Sequence, residues 1–309
     1  MSTSERRCRV EGVLRELSIF TVEGTGPGPT LALMGGVHGD ELEGPVALAR
    51  LLAGIDREPL AGRLIVVPVA NPDAVAAGMR CSPVDGCNLA RCFPGKPDGR
   101  PTERLAALLA SAVIARADAL LDLHSGGAAL AAAFFSGYGD TGPMAARARQ
   151  MAEAFGAPAV WRHGAPAGGR TLSEAHARGI PSIYVETTGG IFPDETVIEA
   201  YRAGTLRVMQ QLGMIPHAPP APTQPPLRLA GSGDIDKAIA APKSGFLQTG
   251  VAPLDRLRKG QVVATVLGLD GRPLARIAAP TEGIAVFVRR ARWVEDGDTV
   301  LVMAQQDHG

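Results

Sequence analysis

Three short strings, far apart in the chain, carry side chains able to do chemistry together. The first is Gly35-Gly-Val-His-Gly-Asp-Glu41. His38 and Glu41 lie three apart, after an apolar run, and can converge on one point. The same string also reads as a plain helix start, with Asp40 as cap and Glu41 complementing the dipole. The second is Leu121-Asp-Leu-His-Ser-Gly126, an apolar strand ending in a histidine. Asp122 and His124 are two apart and share a strand face, so the carboxylate can orient the ring from behind. The third is Pro181-Ser-Ile-Tyr-Val-Glu186, a carboxylate directly after a buried-looking strand. Such a group is costly to bury unless it is paired or used.

Two imidazoles and one carboxylate make a zinc set that keeps a fourth position open for water. On this reading His38, Glu41 and His124 hold one Zn2+ per chain, and Asp122 orients His124. The ion brings the pKa of a bound water to roughly 7 and polarises a carbonyl oxygen. Glu186, outside the ligand set, takes the water proton and hands it to a leaving nitrogen. The chemistry is hydrolysis of an amide. Residues 71–95 form a Gly/Pro-rich connection containing Arg80 and Arg91. A loop arginine is ordinarily solvated. Beside a cation, one guanidinium can grip a carboxylate and another can steady an oxyanion.

These groups matter only if one edge of the fold collects them. Apolar runs at 30–36, 63–70, 119–123 and 180–185 alternate with helically spaced segments at 41–52, 102–117, 144–155 and 194–212. The alternation predicts an α/β fold, a mostly parallel sheet flanked by helices. His38, Glu41, His124 and Glu186 then lie beyond the carboxyl ends of strands, where open α/β sheets bind ligands. Pro-rich residues 217–226 read as a semi-rigid linker, dividing a catalytic unit at 1–216 from a β-rich unit at 227–309. In the latter, Ala241-Pro-Lys-Ser-Gly245 recurs as Ala279-Pro-Thr-Glu-Gly283. The doubling predicts a small β-sandwich or barrel built from two similar halves. It resembles the lipoyl/biotinyl-carrier sandwich, but its central turn, residues 267–274, lacks the lysine that carries the prosthetic group.

Composition narrows the function classes. The 309 residues carry 31 basic and 31 acidic side chains and only 4% aromatics. A neutral, aromatic-poor chain has neither the charge nor the stacking platform for nucleic acid. No run reaches the ~18 apolar residues of a membrane span, and residues 1–10 lack the apolar core of a secretory signal. The expectation is a cytoplasmic protein with no nucleic-acid or membrane partner; whether it forms a homo-oligomer is left open. Cys81, Cys87 and Cys92 are spaced unlike structural zinc pairs and read as reduced thiols.

With these strings in place, the chain resembles the succinylglutamate desuccinylase/aspartoacylase family, related in fold to zinc carboxypeptidases. The matching strings are Gly35-Gly-Val-His-Gly-Asp-Glu41, Asn71-Pro-Asp-Ala74, Arg80, Ser82-Pro-Val-Asp-Gly86, Asn88-Leu-Ala-Arg91, Phe93-Pro-Gly95, Leu123-His-Ser125 and Val185-Glu186. Within that family its look is nearest to the N-acetyl-diaminobutyrate deacetylases. The resemblance implies a small N-acylated substrate, zinc on His38, Glu41 and His124, and Glu186 as the base. It further implies Arg80 at the oxyanion, Arg91 and Asn88 on the substrate, and Arg170 as a further carboxylate contact. Two positions depart from the pattern. Ala90 stands where the family has a second Asn that helps the arginine, so the substrate's acidic handle is expected to be weaker, shifted or absent. Thr187-Thr188 delays the Gly-Gly pair by one residue. A peptide-cleaving carboxypeptidase and a non-catalytic binding protein remain the competing readings.

Overall fold

The computed structural model describes residues 2–55, 59–190 and 192–308. The body contributes strands β1 Ser2–Cys8, β2 Leu17–Glu23, β3 Gly26–Gly35, β4 Ala61–Val67, β5 Ala119–Leu123, β6 Leu130–Ala132, β7 Phe135–Gly139, β8 Ala159–His163 and β9 Ser182–Glu186. The tail adds β10 Leu227–Gly231, β11 Ile239–Ala240, β12 Gly245–Thr249, β13 Arg256–Leu257, β14 Val262–Leu267, β15 Pro273–Ala278, β16 Gly283–Arg289, β17 Trp293–Val294 and β18 Thr299–Gln306. The helices are α1 Glu43–Gly54, α2 Pro72–Ala77, α3 Pro101–Ala112, α4 Ala145–Phe155, α5 Thr171–Ala177 and α6 Glu195–Gln211.

The body sheet runs β1-β2-β4-β3-β5-β9-β7-β8. Its centre, β4-β3-β5-β9, is parallel throughout. Parallel strands are covered on both faces and therefore read as unbroken apolar runs; Leu31, Ala32, Leu33 and Met34 of β3 are all fully buried. Helices α1, α4 and α6 cover one face through Leu48, Leu51, Met151, Phe155, Tyr201 and Val208. Helix α3 covers the other through Leu105, Ala106 and Leu109. The architecture is the mixed α/β sheet flanked by helices that the alternation predicts, with an antiparallel addition at the C-terminus.

Several boundaries differ from expectation. Helix α1 starts at Glu43, so Glu41 precedes it rather than sitting in its first turn. Asp40 caps nothing: its Oδ2 accepts from the backbone N–H of Ala128, 3.0 Å away. The segment expected to be helical over 102–117 is α3 followed by a 3-10 turn, Ile114–Arg116. Strands β1, β2, β7 and β8 and helix α5 fall outside the alternation that the apolar runs display.

The tail is not strung beyond the linker. Strand β10 pairs in parallel with β8 and antiparallel with β18, so hydrogen-bonded ladders cross from body to tail. The doubled sequence is visible as two interleaved sheets. One is β15-β14-β12-β17; the other joins β11, β18, β16 and β13. Each half lends its short third strand to the sheet of the other half. Leu247, Val263 and Val266 of one sheet meet Ala285, Val288 and Leu301 of the other in a shared core.

Candidate active site

Three adjacent strands deliver the site. The chain leaves β3 at Gly35 and reaches His38 within three residues; His124 directly follows β5; Glu186 ends β9. The 36–42 loop is pinned from beneath. Gly39 donates to the Met79 carbonyl at 2.9 Å, and a Cβ at Gly39 would lie 2.0 Å from the Ala74 backbone. The glycine is required there because helix α2 passes against the loop. Asn71 caps α2 and Asp73 accepts from the Leu14 backbone N–H, so the Asn-Pro-Asp-Ala string is a structural support for that contact.

Both rings turn Nδ1 onto one carboxylate. His38 Nδ1 lies 2.8 Å from Glu41 Oε1, and His124 Nδ1 lies 2.9 Å from Glu41 Oε2. The far nitrogens are oriented from behind. His38 Nε2 donates to Asn88 Oδ1 at 3.1 Å, and His124 Nε2 faces Asp122 Oδ2 at 3.0 Å. An imidazole held by an acceptor on its outer nitrogen presents a bare inner nitrogen to a cation. His38 Nδ1 is buried and makes no hydrogen bond. The three donor groups lie within 4.8 Å of one another, the only such gathering of three or more among the described residues. A zinc ion with donor distances of roughly 2.0–2.2 Å fits a cluster of this size and chemistry.

The electrostatics follow from burial and from mutual contact. Burial holds His38 below its ordinary pKa. For Glu41 burial pushes the other way, but the two imidazoles outweigh it and keep the carboxyl well below its usual range. For His124 burial is outweighed by Asp122 and Glu41, which raise the ring well above its usual value. Glu186 is raised well above the carboxylate range, first by burial and then by the charge of Glu41. It borders the cavity, and its Oε2 is buried without a hydrogen-bond partner.

The arginines stand differently from expectation. Arg80 lines the cavity but pairs with Glu41 Oε1 at 2.9 Å. The fork of Arg91 is already closed on Asp236 by bonds of 3.0 and 2.8 Å. Arg170 donates to Asp234 at 2.7 Å and to Asp236 at 3.2 Å. Both arginines thus have carboxylate partners from the tail, which no local signal around residue 91 or 170 could announce. Asn88, expected on the substrate, instead supports His38 and accepts from the Ala90 N–H at 2.9 Å. Residues 232–236 roof the cavity, with Ser232, Gly233 and Ile235 on its wall. The space between these residues is about 870 Å³ when the open solvent at its mouth is included.

The remaining residues fall into place. The extra Thr188 turn behind Glu186 is gripped by Arg290, which donates to the Thr188 and Gly189 carbonyls. Arg289 pairs with Asp298. The cysteines are free thiols; burial raises Cys87 and pushes Cys92 up to about 11, which favours the protonated thiol in both.

Fold and site together define a class: an α/β protein with one buried metal-type centre at the carboxyl edge of its parallel strands and an unpaired carboxylate beside it. The chain belongs to the succinylglutamate desuccinylase/aspartoacylase family, whose catalytic domain matches residues 27–212. It is 33% identical over 290 residues to an N-alpha-acetyl-L-2,4-diaminobutyric acid deacetylase of Halomonas elongata, covering 92% of this chain and 84% of that one. Among solved structures it is similar to a succinylglutamate desuccinylase/aspartoacylase from Rhodobacter sphaeroides, at 28% identity, TM-score 0.88, covering 100% and 96% of the chains. It is also similar to the product-bound ectoine utilization protein EutE (DoeB) from Ruegeria pomeroyi, at 27% identity, TM-score 0.86, covering 97% and 93%.

Proposed function

We propose that this chain is a zinc-dependent amidohydrolase that removes an acetyl- or succinyl-type group from a small N-acylated amino acid or related amine. The carrying observation is the convergence of His38, Glu41 and His124 beside the unpartnered carboxylate of Glu186. A bound Zn2+ on those three residues would acidify water and polarise the scissile carbonyl. Glu186 accepts the proton of the attacking water and returns it to the departing nitrogen. Burial raises its pKa, which suits a group that must both take and give a proton. Arg80 stabilises the negative charge that develops on the former carbonyl oxygen. A substrate carboxylate reaches Arg91 in exchange for Asp236, whose side chain is 55% exposed.

The roof supports a small substrate over a peptide, because residues 232–236 cross the cavity that a polymer would have to thread. The activity named for the Halomonas relative supports an N-acetylated amino acid. No described helix is long and apolar enough to cross a membrane, and we place the reaction in the cytoplasm. The test is a screen of metal-replete protein against acetyl, succinyl and formyl derivatives of diverse amino acids, with dipeptides alongside. Turnover of the acylated set, lost on chelation and restored by zinc, is expected. Dipeptide cleavage alone would replace this reading with a carboxypeptidase, and no metal-dependent turnover at all would remove catalysis.

A further inference from the structure

Beyond the metal cluster, one wall of the cavity holds polar atoms that no other group of the protein satisfies. Trp161 and His163 of β8 are 1% and 5% exposed, sit two apart and share a face. Tyr184 of β9 reaches the same wall, its ring 5.7 Å from that of His163. Trp161 Nε1, His163 Nε2 and Tyr184 Oη are all buried without a hydrogen-bond partner. Buried polar groups are nearly always satisfied, so three on one wall mark a place where a ligand completes the bonding.

Missing side chains keep that place open. Of the four strand residues that pair with Trp161 and His163, three are glycines: Gly137 and Gly139 of β7 and Gly231 of β10. The Tyr184 ring lies across Gly137, where a Cβ would be 2.2 Å from it. From the roof side, a Cβ on Gly231 would stand 3.0 Å from Trp161 Nε1, and one on Gly233 would stand 2.4 Å from the His163 ring. The tail closes over the three groups without laying a side chain on their polar atoms.

The pattern of donors and acceptors selects the ligand. The Gly164 carbonyl accepts from His163 Nδ1 at 2.9 Å, so Nδ1 carries the ring's proton. Burial disfavours a second proton, which leaves Nε2 a bare acceptor. Trp161 Nε1 only donates, and Tyr184 Oη does either. An ammonium only donates and leaves the Trp161 N–H unpaired. A carboxylate only accepts and leaves His163 Nε2 unpaired. A hydroxyl concentrates both functions on one atom, while the indole and imidazole are spaced by two residues of strand, about 6.7 Å. A carboxamide carries an accepting oxygen and a donating NH2 side by side on one rigid plane, and it adds no charge to a buried wall.

We propose that Trp161, His163 and Tyr184 form a subsite for a neutral carboxamide, so that the substrate is an acylated amino acid with a primary amide on one of its two halves. The amide oxygen accepts from Trp161 Nε1–H, the NH2 donates to His163 Nε2, and Tyr184 Oη bonds either atom. This departs from the diamino acid named for the Halomonas relative. The role in turnover rests on the amidohydrolase reading, and a binding measurement separates the two.

In the experiment, metal-replete enzyme is given N-acetylated amino acids whose side chains end in a carboxamide, a carboxylate, an ammonium or an isopropyl group, the last being the apolar isostere of the first. A second series places the same four groups at the end of the acyl chain, so the series that responds tells which half carries the amide. In that series the carboxamide is expected to exceed the other three in kcat/KM by at least about tenfold, because a site built to hydrogen-bond rejects analogues that leave its groups unpaired. His163→Asn, which keeps a donor for the Gly164 carbonyl and removes Nε2, should bring the ratio to within about threefold of unity, as should Tyr184→Phe. Calorimetry with the free carboxamide-bearing amino acid and the free carboxamide-bearing acyl acid reads binding without turnover. His163→Asn should weaken that binding by at least about tenfold. An active enzyme with no carboxamide preference, an inactive one that binds neither fragment, or a preference that both folded variants keep overturns the subsite. Carboxamide binding that His163→Asn abolishes, in a protein that hydrolyses nothing, keeps the subsite and removes the hydrolase. Circular dichroism identifies a misfolded variant, and the other variant then decides.

Discussion

At the residue scale, Glu186 has two testable consequences. Glu186→Gln should retain stoichiometric zinc and lose about 10²–10⁴-fold in kcat, the usual worth of a positioned acid–base group; kinetics beside metal analysis checks this, and retained turnover would take the base role away. The second consequence concerns stability in metal-free protein. The folded pKa of Glu186 lies above its unfolded value, so the native state binds the extra proton. Stability is then lost as pH rises from about 4.5 through the folded pKa. Glu186→Gln escapes that loss. Its Tm should exceed that of the wild type at pH 7, with the gap closing near pH 4. A gap of the same size at both pH values would show that the effect is not titration. The arginine exchange makes a paired prediction. Arg91→Ala should raise KM for carboxylate-bearing substrates roughly tenfold, since a hydrogen bond to a charge is worth ~1.5–3 kcal/mol. Asp236→Asn should lower that KM by weakening the internal competitor. Matching KM increases in both would mean that the pair only fastens the roof.

At the element scale, the site depends on three neighbouring parallel strands ending at the same level. The register places Gly35 opposite Leu123, and Leu123 opposite Val185. His124 and Glu186 are each one residue further on, so they emerge side by side. The loop after β3 needs more help, because His38 and Glu41 stand three and six residues beyond the strand end. Gly39 provides it through its contact with α2. Gly39→Ala would force a methyl into the Ala74 backbone. Overpacking of this kind costs about 1–3 kcal/mol or more. Thermal unfolding should fall accordingly, and zinc titration should show weaker binding, because His38 and Glu41 both ride on the displaced loop. Unaltered zinc affinity in a destabilised variant would separate loop support from metal binding.

At the scale of the whole molecule, the tail is part of the pocket. Strand β10 completes the body sheet beside β8, and Leu229, Ile284, Phe287 and Val302 pack against Phe135 and Trp161. Trp161 borders the cavity and also packs into this core. A chain truncated after Pro226 would expose that face and an unpaired edge strand, which is an aggregation template. The truncated chain should be insoluble or oligomeric by light scattering. A soluble, monomeric, zinc-binding fragment would instead establish residues 1–216 as an independent unit.

The chain's sequence by itself determined the α/β alternation, the doubled tail and the four residues proposed for metal and base. Each is a local signal. Apolar runs must be covered, a repeat is visible by inspection, and a histidine or glutamate stranded after an apolar run is too costly to be idle. Only the tertiary structure decided what those residues face. Asn88 behind His38, and Asp234 and Asp236 closing Arg170 and Arg91, all arise between segments distant in sequence. Hydrogen bonds and ion pairs act over a few ångströms of space, whatever number of residues separates the partners. Their pairing is therefore set by how β8, β9 and the tail come together, and no short string of the chain encodes it.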